Sequence, residues 1–143
     1  MATAETVDLG LAHPPKEGSI KAFNEIEIDL KKMLQHLRHE HDKHEPEYFA
    51  AVKHLSNEQL TNFSADNLKE VRVAQTAYGL HLLGKVLLPD SGDRYFMFRA
   101  FIPGEAETAR LHSIHTEEVE KSDGDKVYRA IFLQNDPLEW FDT

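Results

Sequence analysis

The sequence predicts an α+β domain: a long N-terminal amphipathic helix packed on a four- to five-stranded antiparallel sheet. Apolar residues recur every three or four positions from Ile20 to Leu37, and beyond Glu70 the period shortens to two while β-branched and aromatic residues take over. At 143 residues and 41% hydrophobic content the chain suffices for one ordinary core, so a single domain over 19–143 is expected behind an arm of residues 1–18.

The arm carries Pro14, Pro15, two glycines and little periodicity, which predicts an extended, flexible segment that is either a docking strand or a loose terminus. Ser19 suits a helix N-cap, and Ile20, Phe23, Ile26, Leu30, Met33, Leu34 and Leu37 then form one apolar stripe, with Glu27 and Lys31 paired on the exposed side. The helix must stop before Pro46, which cannot continue the hydrogen-bond ladder. Between Pro46 and Glu70, Tyr48, Phe49, Val52 and Leu55 favour short helical pieces. Ser56 with Gln59 forms a capping box, and Ser64 can cap a further turn.

Val71–Leu88 reads as one long strand with bends at Gly79 and Gly84. After the turn Pro89-Asp90-Ser91-Gly92-Asp93, a second strand spans Arg94–Ile102. Phe96, Phe98, Ala100 and Ile102 share one of its faces, and Tyr95, Met97, Arg99 and Phe101 the other. Pro103-Gly104 breaks the chain. A third strand over Thr108–Val119 and, past Ser122-Asp123-Gly124-Asp125, a fourth over Lys126–Leu133 complete an antiparallel meander. The amphipathic helix is the expected cover for its apolar face.

A net charge of −9 argues against binding nucleic-acid phosphates or an acidic membrane surface. No apolar run approaches the roughly 18 residues of a membrane span, and no secretory leader is recognisable. The absence of cysteine excludes disulfides, thiolate nucleophiles and Cys-based zinc sites, and fits a cytoplasmic protein.

The segment Val71-Arg72-Val73-Ala74-Gln75-Thr76-Ala77-Tyr78 is similar to the first hairpin of the stefin branch of the cystatins, with the pattern Gln-Val-Val-Ala-Gly-Thr-Asn-Tyr. The match holds at Val73, Ala74, Thr76 and Tyr78. Gly10-Leu11-Ala12 resembles the stefin arm before the helix, and Tyr95–Pro103 with Gly104 and the strand from Thr108 resembles the strand, second hairpin and next strand. Two departures stand out, Val71 in place of Gln and Gln75 in place of the hairpin Gly, and the segment Pro46–Glu70 is longer than its stefin counterpart. The resemblance implies a cystatin-like fold without catalytic activity or cofactor, acting as a reversible inhibitor of papain-like cysteine proteases. Its protease-binding wedge would comprise Gly10 and Leu11, then Val71, Arg72, Val73, Ala74 and Gln75, then Pro103 and Gly104.

The same architecture also serves the cone-shaped nuclear transport factor 2 family, which implies instead an apolar pocket and a dehydratase or isomerase. For that alternative His54, His81 and Asp90 qualify by residue type alone. A third reading is a scaffold that dimerises through an open sheet edge. His36, His39, His41 and His44 could hold a metal weakly, but a solvated helix end accounts for them better, so no metal site is assigned. His112 and His115 should point to opposite faces of their strand. Glu117, Glu118, Glu120, Asp123 and Asp125 read as a solvated turn. Leu138, Trp140 and Phe141 read as residues that pin the C-terminus to the domain.

Overall fold

Helix α1 (Glu17–His44) buries Phe23, Ile26, Leu30 and Leu34 along one stripe, while Met33 and Leu37 lie half-buried at its margin. In this computed structural model residues 9–104, 108–120, 124 and 126–141 are described. The helix starts three residues earlier than expected. Lys16 occupies the N-cap, and Ser19, at the third helical position, accepts from the Lys16 amide at 2.8 Å and donates to the Lys16 carbonyl at 2.9 Å. A polar side chain at the third position thus reaches back to the amide of the N-cap residue, the return half of a capping box. The C-terminus falls at His44, before Pro46.

A 3₁₀ segment (Pro46–Val52) and the short helix α2 (Asn57–Leu60) follow. The Ser56–Gln59 capping box is formed, with Gln59 N donating to Ser56 Oγ at 3.1 Å and Ser56 N to Gln59 Oε1 at 2.9 Å. Ser64 caps a second 3₁₀ turn (Ala65–Asn67). Arg38 joins these pieces to α1: its guanidinium is buried and donates to the carbonyls of Val52 and Leu55 and to Asn57 Oδ1.

The run expected as one strand over Val71–Leu88 is instead a hairpin, β1 (Leu68–Thr76) and β2 (Gly79–Leu87), turning at Ala77–Tyr78. Gly79 closes that turn at φ 145°, and a side chain there would strike the Ile102 carbonyl. Gly84 is not a bend but a mid-strand position beneath the Phe98 ring. Strand β3 (Tyr95–Ile102) follows the predicted turn, in which Ser91 Oγ donates to the Leu88 carbonyl at 2.5 Å.

The expected third strand is divided. Its first part, β4 (Arg110–Ile114), completes a four-stranded antiparallel sheet of order β1-β2-β3-β4. Its second, β5 (Glu117–Glu120), pairs with β6 (Lys126–Arg129) as a separate ribbon. The fourth expected strand is correspondingly short, ending at Arg129, although Phe132 still bridges to Tyr95. Of the acidic turn, Asp123 and Asp125 lie outside the described residues, as does the arm before Leu9.

α1 covers one face of this sheet. Phe23, Phe63, Phe96 and Phe98 meet there at ring distances of 5.1 to 6.1 Å. The other face is covered too, by the C-terminal segment: Leu138 and Phe141 pack with Leu83, Met97 and Phe132 in a second cluster. This two-sided burial explains why β3 is apolar on both of its faces.

Candidate functional site

Of the three segments named from the sequence, the β1–β2 turn and the exit of β3 meet at one end of the sheet, and the arm pairs along the edge of β1. The arm lies antiparallel along β1, pairing Leu9 with Ala74 and His13 with Val71, and the Gly10 amide donates to the Val73 carbonyl at 2.9 Å. An added Cβ at Gly10 would stand 3.1 Å from that carbonyl oxygen, so a larger residue would have to push the arm outward by a few tenths of an ångström. Arg72 reinforces the contact by donating from Nε to the Gly10 carbonyl at 2.7 Å.

The β1–β2 turn and the exit of β3 flank a cleft of about 440 Å³ lined by Gln75, Thr76, Ala77, Tyr78, Ile102, Pro103 and their neighbours. The register explains this proximity, since Leu80 pairs with Gln75 on one side and with Ile102 on the other. Thr76 stiffens the turn: its hydroxyl accepts from the Tyr78 amide and donates to the Gly79 carbonyl, both at 3.3 Å. Tyr78 is left 75% exposed and Leu11 85% exposed. Of the two, Tyr78 lines the cleft, where an accessible aromatic ring can serve as a contact anchor.

The expected wedge residues separate by role. Leu11 and Gln75 are exposed, Pro103 and Gly104 half-buried, and Val71 and Ala74 buried under the arm and against the core. Gln75 is not at the apex of the hairpin; it sits in the ladder opposite Leu80, and the turn lies at Ala77–Tyr78. The accessible surface is therefore shifted toward Tyr78, which the sequence did not mark as the tip. Among the described residues no carboxylate, imidazole or amine lines the cleft. It can bind by shape and apolar contact.

The residues named for pocket chemistry are not brought together. His54 and Asp90 are exposed in separate loops, and His81 lies on the outer sheet face. The space between α1 and the sheet is filled, because Phe23, Leu30, Leu34, Phe96, Phe98 and Ala100 are all 0% exposed and so adjoin no water-sized void.

His36 and His39 are exposed, while His41 stacks on Tyr48 at 4.1 Å. Among the described residues no group of three His, Cys, Asp or Glu is placed to hold a metal ion. His112 is exposed, and His115 stacks against both Phe132 and Phe141. Glu117 pairs with Arg129 and Glu118 with Lys126, so these acids are neutralised along the β5–β6 ribbon. No helix is long and apolar enough to cross a membrane among the described residues.

Sequence reasoning did not find the basic row beneath the C-terminal segment. Lys85 donates to the carbonyls of Gln134 at 2.8 Å and Asp136 at 2.6 Å, Arg72 to that of Leu138 at 2.9 Å, and Arg99 to that of Phe141 at 3.1 Å. Burial lowers the pKa of the Lys85 ammonium, while Glu70 and Asp136 oppose the shift. The acceptors are backbone carbonyls, which carry no signature in the sequence. No family model matches the chain, and comparisons with curated proteins and with solved structures find no match.

Proposed function

We propose that this chain is a non-catalytic protein-binding domain that docks through the end of its sheet, with a papain-like cysteine protease as the partner it inhibits reversibly. The observation that carries the reading is the neutral cleft between the β1–β2 turn and Pro103-Gly104, flanked by the exposed Tyr78. An edge of this kind can enter a protease cleft and exclude substrate without offering a strained or activated peptide bond. Binding would rest on apolar burial around a few anchors.

The partner class comes from the stefin resemblance at Val73, Ala74, Thr76 and Tyr78, and the absence of cysteine suits action in a reducing cytoplasm. The filled interior supports the inhibitor over the cone-shaped alternative, because a pocket enzyme needs a lined void between helix and sheet. Titration of a papain-like protease with the full chain tests the reading. Reversible, substrate-competitive inhibition is expected, and an uninhibited protease at high micromolar chain overturns it.

A further inference from the structure

The C-terminal strap, residues 133–141, is held in two parts that differ in chemistry. Its first part is fastened by Lys85 to two carbonyls and by Arg129 to the Asp136 carboxylate. Its second part, 138–141, is held by the buried Leu138 and Phe141 and by Arg99, whose Nη1 donates to the Phe141 carbonyl and whose guanidinium lies 4.0 Å from the centre of the Trp140 ring. Arg72 adds a single bond to the Leu138 carbonyl.

Arg99 is oriented in turn by His81. The imidazole is buried, with Nδ1 3.3 Å from Arg99 Nη2 and Nε2 3.5 Å from Thr76 Oγ1, and its ring meets the edge of Trp140 at 5.3 Å. A guanidinium only donates, so Nδ1 must be the acceptor and the ring must be neutral for this contact to exist. A proton on Nδ1 would replace the hydrogen bond with a cation facing a cation.

We propose that His81 is the sensor of a pH-dependent latch, in which protonation of its imidazole displaces Arg99 and releases residues 138–141 from the outer face of the sheet. The surroundings favour this sign of response. Burial lowers the pKa of His81, and Arg99 facing it from β3 and His112 acting on it from β4 lower it further. Thr76, its neighbour on β1, is uncharged, and Arg72 lies further along that strand beneath the strap. Phe101 and Trp140 contribute rings without charge. Of the strap's carboxylates, Asp136 is paired with Arg129, and Glu139 is exposed beside the cleft around His115. Release uncovers Leu83 and Met97, which are buried beneath the strap when it is docked.

Linkage makes the proposal testable without forcing the latch open: if protonation weakens docking, weakening the docking must raise the pKa of His81. The experiment is an NMR titration of the His81 imidazole in the full chain and in full-length Phe141→Ser, with Trp140→Ala as a second variant should the first fold poorly. The wild-type midpoint should lie below the ordinary histidine value of about 6.5 and move up in the variant. A midpoint higher by about 1 in pH corresponds to about tenfold weaker docking on protonation. A wild-type midpoint at the ordinary value, or one that stays put when the strap is weakened, overturns the latch.

Discussion

Phe98 lays its ring directly over the α-carbon of Gly84, its partner in the β2–β3 ladder. The ring reaches Phe23 at 6.0 Å only because Gly84 has no side chain to lift it. Gly84→Ala should therefore overpack the helix–sheet interface and cost about 1–3 kcal/mol, measured by urea denaturation. An unchanged midpoint would mean that the interface is looser than this packing requires.

Leu30 stands in the middle of the buried stripe of α1 and is 0% exposed. Leu30→Ala should cost about 2–5 kcal/mol, the range for truncating a fully buried leucine. A loss under about 0.5 kcal/mol, typical of a surface change, would take α1 off the sheet.

Arg38 acts as a brace between α1 and the turn region, donating to the Val52 and Leu55 carbonyls and to Asn57. Arg38→Leu keeps the apolar stem but takes the donor from the buried Leu55 carbonyl, while the Val52 carbonyl keeps the Leu55 amide, at a cost of about 1–3 kcal/mol. The same denaturation measurement checks it, and Arg38→Lys should recover only part of the loss because an ammonium cannot reproduce the planar fork.

The folded-state pKa of His81 is depressed, so the unfolded chain takes up a proton at a pH where the fold does not. Stability from this residue should fall as pH drops below about 6.5 and level off once the pH is below the folded value. His81→Gln cannot titrate. The loss of stability between pH 7.5 and 5.5 should therefore be smaller in His81→Gln than in wild type, by roughly the width of the window that the two pKa values enclose, the remaining histidines being common to both. Equal losses would contradict a depressed His81.

The legible parts of the fold were those written in local pattern. The α1 stripe, the stop at Pro46, the Ser56–Gln59 box and the face assignment of β3 all follow from spacing within a few residues. The β1–β2 turn was not legible, because Ala77-Tyr78 lacks the Gly, Asn, Asp or Pro that usually marks a reversal and the only glycine nearby, Gly79, follows it. That omission moved the expected hairpin apex from Tyr78 to Gln75. The division of the third strand was hidden because β4 and β5 share one strand-like composition while pairing with different partners. The C-terminal strap was legible only as apolar residues in need of a surface. Its clamps, Lys85 and Arg99, grip carbonyls that lie 49 and 42 residues away at Gln134 and Phe141, a relationship that no local pattern encodes.

Tyr78 is the residue on which the inhibitory reading turns, since it is 75% exposed at the tip and its removal disturbs no buried contact. A papain-like protease should be titrated with wild-type chain and with Tyr78→Ala, after denaturation shows the two to be equally stable to within about 0.5 kcal/mol. Competitive inhibition by the wild type, weakened at least about tenfold in Tyr78→Ala as expected for loss of an aromatic anchor, is the predicted result. A protease left uninhibited by the wild type, or inhibited equally by both chains, would contradict it.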